Sequence, residues 1–137
     1  MKNYEILEHT ADIGIRVKAG DVQGLFKEAA LAMFDIMAER QGPDAKGMHV
    51  AIEVKADDLQ ELFVNWLNEL LSLSAVKELI FTDFQIEQFD DKSLKAKATG
   101  KDLKNYKVNT EIKAATYHGL KIEEAGGDRK AEVIFDV

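Results

Sequence analysis

Two apolar stripes at helical spacing, set in a chain whose other segments alternate with a period of two, constrain the fold most. Val22, Leu25, Phe26, Ala29, Ala30, Met33, Phe34 and Met37 recur at steps of three and four, which puts them on one face of a helix. Asp21 precedes the run and has the side chain of a helix cap. Leu59, Leu62, Phe63, Trp66, Leu67, Leu70 and Leu71 form a second, wider stripe. Ala56-Asp57-Asp58 opens it, with carboxylates at the positive end of the helix. The second helix is the more hydrophobic and is expected at the centre of the core. Trp66 is its anchor, since a tryptophan buries roughly 150–250 Å². Phe26, Met33 and Phe34 at this spacing read as core and not as a binding face.

The remaining segments have strand character. Tyr4 to Leu7 is a short apolar run, and Ile13, Ile15 and Val17 alternate with Gly14, Arg16 and Lys18, the pattern of a half-buried strand. Gln41 to Gly47 holds the only proline and reads as a loop. Met48, Val50, Ile52 and Val54 alternate again. Leu79 to Phe81 and Phe84 to Ile86 are strand material. Asp90 to Ser93 has turn composition, and Leu94, Ala96 and Ala98 alternate with lysines as a hairpin partner. Gly100 to Tyr106 reads as a loop, Val108 to Glu111 is ambiguous, and Ile112 to Ile122 ends as a strand. Gly126-Gly127-Asp128 is a hairpin turn, followed by Ala131, Val133 and Phe135. Two helices are too few to wind a parallel sheet on both faces. The expectation is a single α+β domain over residues 1–137, with two amphipathic helices packed on a mostly antiparallel or mixed β-sheet.

Composition removes several classes of function. The chain of 137 residues is long enough for one domain with its own core. It has no cysteine, so no disulfide, zinc-thiolate site or thiol nucleophile. No apolar run approaches the ~20 residues of a membrane span. The first residues lack the apolar stretch of a secretory signal, and these absences favour the cytoplasm. A net charge of −7 repels phosphate and disfavours stable direct nucleic-acid binding. Lys92, Lys95, Lys97, Lys101 and Lys104 form a local basic stretch, but no aromatic residues interleave to stack on bases, and it reads as a solvated strand and loop. There is no nucleotide-cradling glycine loop, no Gly-x-Ser-x-Gly and no His-Glu-x-x-His.

Chemistry concentrates in Glu8-His9-Thr10-Ala11-Asp12-Ile13-Gly14. A polar cluster between two strand-like runs falls at a strand end or bulge, where side chains reach a common ligand. The same residues also make a hydrated turn, with Thr10 or Asp12 bonded to its own backbone. Asp12 precedes one strand and Asp136 ends another. If those strands are neighbours, Asp12, Asp136 and the Val137 terminus bring together carboxylates that repel each other unless a cation neutralises them. Oxygen ligands of this kind suit calcium, magnesium or manganese better than zinc.

The same heptapeptide resembles the N-terminal signature of the archease family. Lys113-Ala114-Ala115-Thr116-Tyr117-His118 resembles that family's second motif, and Phe135-Asp136-Val137 its Asp-plus-aliphatic ending. The resemblance runs from about Tyr4 to the last residue, with the motifs in the right order and spacing. Ala115 stands where the motif often has a bulky aliphatic residue, and His118-Gly119-Leu120 varies a common ending. The resemblance implies a metal site at Asp12, Asp136 and the backbone or terminal carboxylate of Val137. Calcium is the first choice of ion, with magnesium or manganese as alternatives. It also implies a functional lysine at Lys113, able to reach a phosphate as a point charge. Glu8 is a supporting partner, and His9 and His118 are motif members outside the metal set. The implied function is that of a non-catalytic accessory protein. It would activate the RtcB-type RNA-splicing ligase of tRNA splicing by promoting guanylylation of the ligase and multiple turnover. The alternatives are a stand-alone metal-dependent phosphohydrolase and a general chaperone or RNA-processing adaptor.

Overall fold

The structure is a computed structural model and describes residues 4–8 and 12–137. The strands are β1 (Tyr4–Glu8), β2 (Asp12–Ala19), β3 (Ala38–Arg40), β4 (Met48–Lys55), β5 (Leu79–Asp90), β6 (Ser93–Asp102), β7 (Tyr106–Val108), β8 (Ala114–Ala125) and β9 (Asp128–Asp136). The helices are α1 (Val22–Met37) and α2 (Leu59–Lys77), with a short 3₁₀ turn over Leu103–Asn105. Both helices start where a carboxylate meets an orphan backbone N–H. Asp21 Oδ1 accepts from the Gly24 N–H at 2.7 Å, and Asp58 Oδ1 from the Glu61 N–H at 2.8 Å. The stripes face inward as their spacing requires. Leu25, Phe26, Ala29, Ala30 and Met33 of α1 are fully buried, as are Leu62, Phe63, Trp66, Leu67 and Leu70 of α2.

The strands form three sheets, ordered β1-β2-β9-β8, β4-β6-β5 and β3-β7. Each helix touches strands of both larger sheets, α1 through β2 and β5, α2 through β8 and β4. One continuous apolar cluster results, running from Ile15 and Val133 through the helices to Ile52 and Ala98. Trp66 sits at its centre with no exposure, and its indole N–H donates to the Phe26 carbonyl at 2.9 Å. That bond ties α2 to α1 and satisfies the one polar atom of a fully desolvated ring. The turn between β8 and β9 uses Gly126 and Gly127 at φ of 60° and 87°, the left-handed pair that a tight hairpin turn needs.

The α+β class and the two helices agree with the sequence reading, and several details are corrected. The antiparallel pairing agrees with the expectation, since every strand pair among the described residues is antiparallel, but these strands divide into three sheets instead of one. The two segments expected at Leu79–Phe81 and Phe84–Ile86 are a single strand, β5, irregular at Phe81/Asp83 and Ile86/Gln88. The loop expected over Gly100–Tyr106 is instead the end of β6, the 3₁₀ turn and the start of β7. Helix α2 begins at Leu59, because Asp58 is its cap. Strand β3 follows α1 with no intervening turn and pairs with β7; its pattern of one buried and two exposed residues has no apolar alternation to reveal it.

Candidate functional site

In the four-stranded sheet β2 and β9 are neighbours, and their register places Asp12 directly opposite Asp136. Asp136 is also opposite Ala114, the first residue of β8. Directly opposed residues of an antiparallel pair project from the same face, with Cβ atoms ~4.5–5.5 Å apart. The next register pair, Ile13 and Phe135, belongs to the other face, where Phe135 is fully buried. The two carboxylates therefore stand on the outer face at one end of the sheet, Asp12 half-buried and Asp136 exposed. Among the described residues neither carboxylate has a hydrogen bond or an ion pair through its side chain. Like charges directly opposed across strands are destabilising, so this pair opposes folding until a positive charge reaches it.

The second motif lies against the same end. The Lys113 N–H donates to the Asp136 carbonyl at 2.8 Å, which fixes the lysine beside the pair with its side chain exposed. Val137 follows Asp136 and is 38% exposed. His118 is exposed four residues beyond Ala114, in a bulge of β8. Between Thr116, opposite Ile134, and Lys121, opposite Glu132, the segment Tyr117–Leu120 faces Val133 alone. Gly119 carries the bend at φ 68°, a conformation other residues adopt only with strain. Thr116 Oγ1 donates to the Ile134 carbonyl at 3.0 Å and closes the near side of the bulge. The bulge presents Tyr117 with 56% exposure. Partial burial raises the Tyr117 phenol above its ordinary value, and the nearby Glu61 and Asp58 carboxylates push it the same way, which places the ring near the start of α2. His9, Thr10, Ala11 and the side chain of Glu8 lie outside the described residues.

Sequence reasoning missed the device that holds this edge. Strand β8 is the last in its sheet, so alternate backbone groups point away from β9. Asn68 of α2 meets them: the Ala115 N–H donates to Asn68 Oδ1 at 2.7 Å, and Asn68 Nδ2 donates to the Ala115 carbonyl at 3.1 Å. The side-chain amide thus stands in for a missing strand and protects the edge. In the sequence Asn68 is only a polar residue beside an apolar stripe.

The donors that meet here are carboxylate and main-chain oxygens, the chemistry of a hard cation. Among the described residues no three His, Asp or Glu side chains converge. Among the described residues, Asp12 and Asp136 are the two carboxylates that the strand register sets opposite each other, and Val137 follows Asp136 directly.

The sequence matches the family model described as the Archease protein family (MTH1598/TM1083) over residues 4–137. Protein archease of Methanosarcina mazei is 37% identical over 142 residues, covering 99% of this chain and 97% of its own length. Protein archease of Pyrococcus furiosus is 38% identical over 143 residues, covering all of both. The solution structure of Methanobacterium thermoautotrophicum protein 1598 superposes over both entire chains with a TM-score of 0.74 at 30% identity. A crystal structure of an archease, possible chaperone, from Thermotoga maritima shares the fold, with a TM-score of 0.65 at 23% identity over 96% of this chain and 94% of that one. The chain belongs to the archease family.

Proposed function

We propose that this protein is a non-catalytic accessory factor that activates an RtcB-type tRNA-splicing RNA ligase, promoting its guanylylation and its multiple turnover through the Asp12–Asp136 edge. One observation carries the reading: two carboxylates with no described partner are held opposite each other at a sheet end, with Lys113 bonded alongside. A pair that costs folding energy is accounted for if it serves a ligand.

On this reading Asp12 and Asp136 hold a divalent cation, with an oxygen of Val137 as a further donor. Calcium is the first choice because it accepts many oxygen ligands in a loose geometry, and magnesium or manganese is the alternative. The ion would supply positive charge against nucleotide or ligase oxygens. The protein's own residues do the rest. The β2–β9 register fixes the separation of the carboxylates, the Lys113 main-chain bond and the Asn68 clamp fix the edge, and Lys113 offers its ammonium to a phosphate. RNA is engaged through the ligase, which the net charge of −7 favours over direct binding. Among the described residues no helix is long and apolar enough to cross a membrane, and the proposed place of action is the cytoplasm.

The test is ligase guanylylation with labelled guanosine triphosphate, with and without this protein. Faster guanylylation by the wild type and its loss in Asp12→Ala support the reading. Equal stimulation by Asp12→Ala sinks the role of the pair. Metal-dependent phosphate release by the isolated protein would instead favour the stand-alone phosphohydrolase.

A further inference from the structure

Strand β4 is the outermost strand of its sheet and pairs only with β6. The Ala56 N–H donates to the Lys92 carbonyl at 2.9 Å, one step beyond the Lys55–Ser93 pair. In an antiparallel ladder both main-chain groups of a residue point the same way, and the direction alternates along the strand. The main-chain groups of the even-numbered β4 residues therefore bond β6, and those of His49, Ala51, Glu53 and Lys55 point away from the sheet. One of these is met: Asn65 Nδ2, from α2, donates to the Lys55 carbonyl at 3.0 Å. Among the described residues nothing bonds the outward main chain of His49, Ala51 or Glu53, and all three residues are exposed. The other sheet margins are blunted. Strand β8 is closed by Asn68 and bulged, β1 has 5 residues, β3 and β7 have 3 each, and β5 shifts register twice. Strand β4 runs 8 residues in unbroken register with its side open, the form of edge that takes up another extended segment.

Beside this edge lies a groove of about 410 Å³, between Glu53 and Lys55 of β4 and Asn65, Glu69 and Ser72 of α2. A strand laid against β4 turns every second side chain toward α2 and the rest to solvent. The groove selects a positive charge. Glu53 already has Lys55 and Lys95, each at 3.9 Å. Glu69 is half-buried and among the described residues has no ion pair or side-chain hydrogen bond. A lysine or arginine of the incoming strand supplies the missing partner, as a charge-assisted bond. Helix α2 reaches past the edge to bond Lys55, so two copies joined β4 to β4 would press their α2 helices closer than the ~8–10 Å that packed helices keep. A single extended segment meets no such obstacle. We propose that the β4 edge is a docking site for an extended segment of a partner protein, which adds a strand to the sheet and sets a lysine or arginine against Glu69. It lies on a different sheet from the Asp12–Asp136 edge and does not rest on the function proposed for that edge.

The experiment selects binders to the full chain from a displayed library of random ten-residue peptides, then measures the selected peptides by calorimetry and by amide hydrogen exchange of the protein. Wild type is compared with three variants. Ala51→Pro deletes an outward N–H that the fold does not use, a change an edge strand tolerates. Glu69→Lys reverses the charge in the groove, and Glu87→Lys makes the same charge change at an exposed position of β5. The expected result is peptides that carry lysine or arginine and slow exchange at His49, Ala51 and Glu53. Binding is expected to weaken at least tenfold in Ala51→Pro and in Glu69→Lys, and less than twofold in Glu87→Lys. A library that yields no binder would overturn the proposal, as would binders that leave those three amides unprotected. Equal weakening by Glu69→Lys and Glu87→Lys would reveal a diffuse charge effect and overturn it too, and so would a dimer of the free protein that protects the same amides. Thermal melts within a few degrees of wild type keep the comparison free of unfolding; should Ala51→Pro melt early, the exchange pattern and Glu69→Lys decide.

Discussion

Truncating Asn68 to alanine tests whether the edge of β8 is held as described. The substitution removes both hydrogen bonds to Ala115, and Ala115 is only 4% exposed. A buried backbone group that loses its partner costs about 1–3 kcal/mol. Two such groups, with some water entering the opened edge, put the loss at roughly 2–4 kcal/mol, offset by about 0.5 kcal/mol because alanine is the better helix former. Against a total stability of about 5–15 kcal/mol that is a large fraction. For a chain of this size it lowers the melting temperature by roughly 6–15 °C. The control is Asn65→Ala, one turn earlier, which loses a single exposed bond to the Lys55 carbonyl at 3.0 Å and is expected to stay within about 0.5 kcal/mol of wild type. Urea unfolding followed by circular dichroism measures both, and hydrogen exchange at Ala115 reports the local opening. An Asn68→Ala loss no larger than that of Asn65→Ala would refute the clamp.

Other consequences follow from single positions. Gly100→Ala would place a Cβ 2.8 Å from Leu79 Cδ1 and 3.0 Å from Leu79 Cβ beside a buried leucine that cannot retreat, and is expected to cost about 1–3 kcal/mol in a urea melt. Gly119→Ala forces a Cβ into a backbone with φ of 68° and to within 3.2 Å of Ile134 Cδ1, at about 1–2 kcal/mol, and NMR should show Tyr117 displaced. Burial, then the bond to Asp35, raises the Tyr4 phenol above its ordinary value of 10.0. The folded state then holds a proton that the unfolded chain releases. This contribution is complete below pH ~10 and is lost as pH rises beyond it, so Tyr4→Phe should flatten the alkaline fall in stability; an unchanged slope would contradict the assignment.

The helices were legible because each carries its own evidence: an apolar stripe of the right period and a carboxylate one residue before it. Strand β2 was legible through its alternation, and the Gly126-Gly127 turn through its composition. What local pattern cannot carry is which strands become neighbours. Asp12 and Asp136 stand at opposite ends of the chain, and their pairing depends on β9 inserting between β2 and β8, a choice made by the packing of Ile15, Val133 and Phe135 against the helices. The bulge in β8 left a trace in Gly119, yet its width is set by Thr116 and Ile134, contacts made across the sheet. Strand β3 was hidden because Ala38-Glu39-Arg40 continues a helix without punctuation. Asn68 was hidden because its two bonds reach forty-seven residues along the chain.

The central claim is that Asp12 and Asp136 act as one unit on a ligase partner. A multiple-turnover RNA ligation assay with RtcB-type ligase, guanosine triphosphate and manganese, comparing wild type, Asp12→Asn, Asp136→Asn and the double variant, tests it most directly. The account predicts that wild type sustains turnover, that each single variant loses most of the stimulation, and that the double variant is no worse than either. Full stimulation by the single variants, or none by the wild type, would contradict it.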